Sequence, residues 1–390
     1  MDLRELRDKE YRYGIGLTVG TSCAGIDAAA VRIRGTGRET AVKPLLYEHF
    51  PYSPATRNRL LMARKDNKAM GLLHFELGEL LATAAQRIAE KLAARDESAQ
   101  VDFAAIKGFP ASHIPPRGAE PMVRGGLEIG EPAFVATSLG VPVISDFYAK
   151  DMAVGGQGAP IFSYADHVLF GRKDRTVAVL HLGAFASLTV LPPELDQVIG
   201  FHVGPCNIAL DGAIHLITAG NREMDTDGKA AFQGVVIDEF LDYLLDHPFL
   251  NRVPPKSTSR EEFGPEVYLR DAIAGRRDRS LEDLQATVTA AVANSIIRAY
   301  GRFVKSTYEV SRLILTGGGV RNTTLVDYLK KGLTEMVFRR SDDYGLPSMA
   351  ADPVRAAILG NEAVCGTPSN VPRATGARLP ICLGKITLPK

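Results

Sequence analysis

Three short glycine-containing loops in the sequence could bind the phosphates or the nucleoside of a nucleotide. In each, an apolar run typical of a strand ends in a tight turn, and a helical pattern follows the second and third loops. Backbone N–H groups at a helix start bind anions. The loop residues are Gly20, Thr21 and Ser22; Gly204, Pro205 and Asn207; and Gly317, Gly318, Gly319 and Asn322. A plain turn remains the alternative for the first loop, because Gly and Ser also occupy turns for conformational reasons.

The elements around these loops predict two α/β halves. Strands and long amphipathic helices are predicted at Tyr13–Val19, Ala28–Ile33, Gly71–Glu97, Leu281–Val304 and Val310–Thr316. We expect an N-terminal lobe over residues 1–140 with the first phosphate loop, and a C-terminal lobe over residues 141–390 with the other two loops. This layout is typical of a two-lobed actin-like or hexokinase-like (ribonuclease H-like) ATPase fold with a ligand cleft between the lobes. Neither a Walker A motif nor a Gly-x-Gly-x-x-Gly loop occurs.

Composition excludes several classes of partner. Lys and Arg number 46 against 45 Asp and Glu, so the net charge of +1 gives no reason to expect nucleic acid or an acidic membrane as partner. The N-terminus is charged rather than apolar, and no apolar run reaches the roughly 18 residues of a membrane span. The four cysteines lack the spacing of a disulfide framework or a metal site. We therefore expect a cytoplasmic protein.

Three further segments leave alternatives open. Lys256 and Arg260 lie in an extended, proline-bearing stretch and face either an anionic ligand or solvent. His113 lies in a predicted loop over residues 109–116 and is either a ligand contact or a solvated or structural side chain. The glycines of Gly155–Gly158 allow close approach by a ligand or by a packed neighbour.

An ordered series of motifs carries a resemblance to one protein family. The motifs are Gly20-Thr21-Ser22, Gly25-Ile26-Asp27, Asp146-Phe147, Gly155-Gly156-Gln157-Gly158, Gly200-Phe201, Gly204-Pro205, Pro254-Pro255-Lys256-Ser257-Thr258, Gly317-Gly318-Gly319 and Thr375-Gly376-Ala377. On these motifs the chain resembles, almost end to end, the anhydro-N-acetylmuramic acid kinase family, which includes the fungal levoglucosan kinases.

Members of that family use ATP and magnesium to open the 1,6-anhydro bridge of a sugar with water and to phosphorylate its 6-oxygen. The resemblance implies that the first two loops hold the ATP phosphates and that Gly317–Asn322 cradles the nucleoside. It also implies a nucleotide and an anhydrosugar or amino sugar as ligands, and a homodimer as the assembly.

Three acidic positions of the family are replaced in this chain. The family's general-base aspartate, in the loop Gly-Phe-Asp-Thr-Gly-Pro-Gly-Asn, is His202. The aspartate of Gly-Thr-Ser-x-Asp-Gly is Ala24, and a glutamate associated with metal binding is Arg355. In addition, Tyr148 stands where the family has an arginine. Because Mg²⁺ prefers carboxylate oxygens, we predict no metal-ligating residue here.

Two functions follow from these replacements. The first is a pseudokinase in which anhydrosugar kinase chemistry is impaired or lost, since the substitutions fall on catalytic and substrate segments while the glycine loops persist. The second is an active sugar kinase of altered substrate with His202 as the base, because a histidine with a pKa near 6.5 can accept a proton. Asp27, Asp151 and Asp211 remain as candidate replacement acids. Arg355 could also substitute for metal charge on the phosphates.

Overall fold

The computed structural model describes residues 3–62, 66–115 and 124–390. The strands are β1 (Tyr11–Val19), β2 (Gly25–Arg34), β3 (Ala41–Pro51), β4 (Phe103–Lys107), β5 (Phe109–Ile114), β6 (Gly125–Ile129), β7 (Val143–Ser145), β8 (Thr176–Leu182), β9 (Phe185–Leu191), β10 (Ile199–Pro205), β11 (Val310–Thr316), β12 (Val337–Arg340) and β13 (Lys385–Thr387). The helices are α1 (Leu3–Asp8), α2 (Pro54–Met62), α3 (Asn67–Arg95), α4 (Pro132–Leu139), α5 (Phe147–Ala153), α6 (Ser163–Phe170), α7 (Asn207–Ile217), α8 (Lys229–Gln233), α9 (Asp238–Leu245), α10 (Pro248–Asn251), α11 (Arg260–Phe263), α12 (Pro265–Tyr268), α13 (Arg270–Ala274), α14 (Leu281–Phe303), α15 (Thr323–Gly332), α16 (Ala351–Cys365) and α17 (Pro372–Thr375).

The chain forms two compact units. The first unit comprises Met1–Phe170 and Gly345–Lys390, and the second comprises Gly171–Tyr344. This division differs from the predicted boundary after residue 140, because β7 and β13 pair within the first unit's sheet and α16 packs on β1. The C-terminal segment therefore belongs to the same core as the N-terminal strands.

The first unit is built on a six-stranded sheet in the order β13-β7-β4-β1-β2-β3. Strands β1, β2 and β3 are antiparallel, whereas β4 is parallel to β1 and β7 is parallel to β4. Because side chains alternate along β1, Ile15 and Leu17 join the core formed with α3, while Gly16 lies against α16. A Cβ at Gly16 would overlap the Pro353 carbonyl, so this glycine permits α16 to pack closely on the sheet.

The second unit repeats the same strand arrangement in the order β10-β9-β8-β11-β12. Its first three strands are antiparallel, and the next two are parallel to the first and to each other. Its core combines the sheet with α7 and α14. A third-second-first-fourth-fifth order in both units is the ribonuclease H-like arrangement, so the predicted fold class is confirmed.

Most predicted elements lie where the sequence placed them. One exception is the stretch predicted as extended, in which Arg260 begins the short helix α11. The strand predicted over residues 13–19 lies within β1, and the long helices predicted at residues 71–97 and 281–304 correspond to α3 and α14. The loop predicted at residues 109–116 was wrong over residues 109–114, and residue 116 lies outside the described residues. Phe109–Ile114 is β5, paired with β6 in a separate two-stranded sheet. In the described ranges no helix has the length and apolar character needed to cross a bilayer.

Candidate functional site

The first glycine loop is a tight turn at the end of β1. The Cys23 N–H donates to the Gly20 carbonyl at 3.0 Å, and Cys23 is buried with a φ of 54°. Ser22 and Ala24 are exposed on either side of this buried anchor. The turn therefore presents the Ser22 hydroxyl at the surface, but position 24 offers only a methyl group.

Asp27, one candidate replacement acid, is already engaged by two neighbours on β3. The Tyr47 hydroxyl donates to Asp27 Oδ1 at 2.7 Å, and His49 Nδ1 lies 2.9 Å from the same oxygen. The Asp27 side chain is about a quarter exposed. Its carboxylate belongs to a cross-strand polar cluster on the β2–β3 hairpin.

Asp151, the second candidate acid, is fully buried and fully engaged. It accepts from the Gly158 N–H at 2.9 Å, the Thr375 hydroxyl at 2.7 Å and the Asn370 amide at 3.0 Å. A Cβ at Gly156 would overlap the Asp151 carboxylate. Of the two alternatives left open for this glycine segment, the packed neighbour is correct at Gly156. Asp151 joins that segment to the end of α17 and to Asn370, which precedes α17.

Arg355 lies in α16 with its side chain 1% exposed. Its Nε donates to Asp166 Oδ1 at 2.7 Å, and its Nη1 lies 3.1 Å from Asp352 Oδ1. Burial alone would lower the pKa of Arg355, but the charges of Asp166 and Asp352 hold it above its usual value. The guanidinium is thus neutralised inside the first unit, which does not support the idea that Arg355 supplies charge to bound phosphates. Asp166 is 189 residues away from Arg355, so no local pattern predicts this ion pair.

The second glycine loop leads into α7, and the first amides of that helix are already used. The N–H groups of Cys206 and Ile208 donate to the Ala184 carbonyl at 2.9 and 3.1 Å, and the Asn207 N–H donates to the Gly183 carbonyl at 3.0 Å. These three N–H groups donate to carbonyl oxygens of the turn between β8 and β9. A phosphate bound at this helix start would have to displace them.

The third glycine loop packs against the same turn. Gly317 has a φ of 85°, and a Cβ there or at Gly319 would approach the Leu182 carbonyl to 2.8 or 3.0 Å. The Asn207 amide donates to that carbonyl at 3.1 Å. The second unit therefore brings the second and third loops together. Asn322 caps α15, because its Oδ1 accepts from the Leu325 N–H at 2.9 Å.

His202 lies in β10, next to the irregularity in pairing before Gly204. Its ring stacks on Phe185 with centroids 5.8 Å apart, and its backbone N–H donates to the Lys256 carbonyl at 3.0 Å. The Thr258 N–H donates to His202 Nδ1 at 3.1 Å. A ring nitrogen that accepts from a fixed N–H is unprotonated, so the neutral ring carries its proton on Nε2. The Thr258 carbonyl also lies 3.2 Å from Nδ1.

Lys256 faces neither an anionic ligand nor solvent, the alternatives left by the sequence. Its side chain is buried, and Nζ donates to the carbonyls of Phe249 and Leu250 at 3.1 and 3.2 Å. Burial, with help from the neighbouring Arg252, lowers the pKa of Lys256 to about 8. Lys256 therefore ties its segment to the end of α10 and helps to position the His202 contact.

A cluster that the sequence did not indicate lies in the first unit. Lys107 at the end of β4 has its Nζ 5.7 Å from the centre of the Tyr148 ring and lies near Glu128 of β6. Asp352 and Asp146 add negative charge nearby. Residue types so far apart in sequence converge only because β4, β6 and α5 meet, and no spacing rule would have found them.

The described parts of the chain contain no group of three or more His, Cys, Asp or Glu side chains that could hold a metal ion. Position 24 has no oxygen ligand, and position 355 has a buried cation. The residues present at these positions therefore do not fit a magnesium ion.

Comparison with known proteins gives a consistent result along the whole chain. A family model described as anhydro-N-acetylmuramic acid kinase matches residues 12–389. The chain is 37% identical over 397 residues to an anhydro-N-acetylmuramic acid kinase of Caldanaerobacter subterraneus subsp. tengcongensis, with 99% of each chain covered. It is 37% identical over 399 residues to that of Salinibacter ruber, again with 99% of each covered. The Bacillus cereus protein of the same name is 36% identical over 386 residues, covering 97% of this chain and 99% of the relative.

Proposed function

Because this chain belongs to the anhydro-N-acetylmuramic acid kinase family, we propose that it binds a nucleotide and an anhydrosugar but performs the family reaction weakly or not at all. That reaction is the ATP-dependent hydrolytic opening and 6-phosphorylation of a 1,6-anhydrosugar. We assign nucleotide binding to Gly20–Ser22 and Gly317–Asn322. The second loop would contribute through the Asn207 side chain and Gly204–Pro205, since its helix-start amides are occupied.

The observation that carries the proposal is the state of Arg355. An acid associated with metal binding in the family is here a buried guanidinium held by Asp166 and Asp352. This arrangement supplies neither an oxygen ligand nor an available positive charge. Ala24 removes a second acid, so two of the family's three acidic positions cannot act on phosphate or metal.

The ring of His202 supports the same proposal. With Nδ1 accepting from Thr258 and the proton on Nε2, the neutral imidazole has no lone pair available to take a proton from water. A positioned general base contributes roughly 10²–10⁴-fold to a rate. Loss of that base alone would therefore reduce turnover to a small fraction of that of a family member with the aspartate.

One observation favours the alternative, an active sugar kinase with His202 as its base. The Thr258 carbonyl lies 3.2 Å from Nδ1, so a ring protonated at Nδ1 could donate to it. Nε2 would then be the acceptor. The fixed Thr258 N–H, at 3.1 Å from the same nitrogen, opposes that tautomer.

The proposal is tested by ADP release from ATP and magnesium in the presence of levoglucosan or 1,6-anhydro-N-acetylmuramic acid. We expect turnover near background for the natural protein and a measurable gain in a His202→Asp, Ala24→Asp, Arg355→Glu variant. Asp166→Asn is added to that variant, because a buried glutamate beside Asp166 would repel it. Turnover by the natural protein that His202→Ala abolishes would overturn the proposal in favour of the alternative.

A further inference from the structure

Glu128 of β6 has a buried carboxylate that forms no hydrogen bond with the residues the structure describes. The residue as a whole is half-buried, but neither carboxylate oxygen is reached by solvent, and neither forms a hydrogen bond within the described structure. A buried polar group without a partner is costly and uncommon in native proteins. The stability of the free chain therefore does not explain why a glutamate occupies this position.

The groups around Glu128 set its chemical state. Burial raises the pKa of Glu128 to about 8; Lys107 opposes this rise, and Asp146 adds to it. Lys385 also lies near, but it is paired with Asp146. At neutral pH the carboxyl is thus largely protonated and offers one O–H donor and one acceptor oxygen.

Lys107 and Tyr148 complete the cluster on the other side. Burial would lower the pKa of Lys107, but Tyr148, Glu128 and Asp352 together raise it, so the ammonium stays charged. Its Nζ lies 5.7 Å from the centre of the Tyr148 ring, and the ring of buried His113 lies 5.6 Å from that of Tyr148. An aromatic face, an ammonium, a phenol and a carboxyl therefore meet at one place.

This combination favours one class of ligand. A hydroxyl both donates and accepts, so a pair of hydroxyls satisfies a carboxyl that needs both. A ligand carboxylate would instead face the negative charges of Asp146 and Asp352, and the charge of Lys107 is already partly balanced by its acidic neighbours. A sugar ring also packs its apolar face on an aromatic side chain such as Tyr148.

We propose that Lys107, Glu128 and Tyr148 form the part of the sugar site that selects an uncharged polyhydroxylated ligand, with Glu128 hydrogen-bonded to two of its hydroxyls. The inference rests on the proposed function in one respect, that the bound ligand is a sugar. Glu128 destabilises the free chain and gains its partners only when that ligand binds.

The experiment is a titration of the full chain with levoglucosan, followed by ligand-observed NMR, without ATP or magnesium. Glu128→Leu removes both oxygens at similar volume, Glu128→Gln keeps one donor and one acceptor, and Glu335→Leu is a control in an exposed ion pair with Lys305. We expect Kd to rise at least tenfold in Glu128→Leu and to change less than threefold in Glu128→Gln and in Glu335→Leu. Thermal denaturation of the free chain should show a higher Tm for Glu128→Leu than for the natural protein, which a merely structural glutamate would not give.

A second comparison isolates ligand charge from ligand size. We expect the methyl ester of 1,6-anhydro-N-acetylmuramic acid to bind at least fivefold more tightly than the free acid, and Tyr148→Arg to reverse that order. Equal levoglucosan affinity of Glu128→Leu and the natural protein would overturn the inference, as would no binding of levoglucosan at all. Equal affinity leaves the proposed function untouched, whereas absence of binding by either sugar would also overturn the anhydrosugar part of that function. Sugar kinase turnover by the natural protein would overturn only the proposed loss of activity and leave this subsite standing.

Discussion

Asp151 and Glu128 are two buried carboxyls in the same unit, and they differ in every contact. Asp151 accepts three hydrogen bonds from the backbone and side chains around it. The oxygens of Glu128 have no hydrogen-bond partner in the described chain, and burial raises the pKa of this residue to about 8. A buried carboxyl with all its hydrogen bonds, such as Asp151, stabilises the fold. A buried carboxyl without them, such as Glu128, destabilises the free chain, and a ligand that supplies the missing hydrogen bonds restores that stability. The contrast separates residues that hold the scaffold from residues retained for binding.

Removal of Asp151 should give the largest effect on stability. Asp151→Ala leaves the Gly158 N–H, the Thr375 hydroxyl and the Asn370 amide buried without their acceptor. We expect the free energy of unfolding to fall by about 4 kcal/mol. Each buried group left without its partner costs roughly 1–3 kcal/mol, and the costs of neighbouring groups do not simply add. Urea denaturation measures this change in the free energy of unfolding. A loss below about 1 kcal/mol would contradict the contrast between a stabilising Asp151 and a destabilising Glu128.

Asp166→Asn should give the next largest effect. It removes the buried ion pair of Arg355 and leaves the pair with Asp352, which is about a third exposed. We expect a loss of about 3 kcal/mol, because breaking a buried ion pair from one side leaves an uncompensated charge. The double variant Asp166→Asn, Arg355→Met should recover much of this loss in the same urea titration. Failure of the second change to restore stability would mean that the pair is not the source of the effect.

Glu128→Gln should raise stability by a smaller amount, and the gain should depend on pH. In the folded chain the pKa of Glu128 is raised to about 8, so the folded state binds more protons than the unfolded state between pH 4.5 and 8. Stability of the natural protein therefore falls as pH rises through that window. We expect the variant to match the natural protein near pH 4 and to be more stable at pH 8, by an amount below the roughly 4 kcal/mol that the full pKa shift is worth. A pH-independent difference in urea midpoint would contradict the assignment of this shift to Glu128.

The sequence predicted the elements better than it predicted the contacts of the site. Periodicity placed α3, α14 and β1, because each buries one regular face. It missed β5, since Pro110 and Pro115 are typical of a loop, although a proline is tolerated in a two-stranded edge pair such as β5–β6.

The state of the site residues depends on partners far away in the chain. Motif spacing identified His202 and Arg355 as departures from the family pattern. It did not predict the residues that form hydrogen bonds with them. Thr258 and Asp166 lie 56 and 189 residues from their partners, and local sequence carries no trace of such a pairing. For the same reason the sequence left Lys256 facing a ligand or solvent, while the structure buries it against two carbonyls.

The central claim, that the chain keeps its nucleotide loops but has lost the acids that serve magnesium, is tested most directly by thermal denaturation with ATP in magnesium and in EDTA. A ligand that binds only the native state raises Tm by an amount set by its affinity. We expect ATP to raise Tm equally in both buffers, because Ala24 and Arg355 provide no oxygen ligand for the metal. Stabilisation that appears only with magnesium, or no stabilisation by ATP in either buffer, would contradict the account.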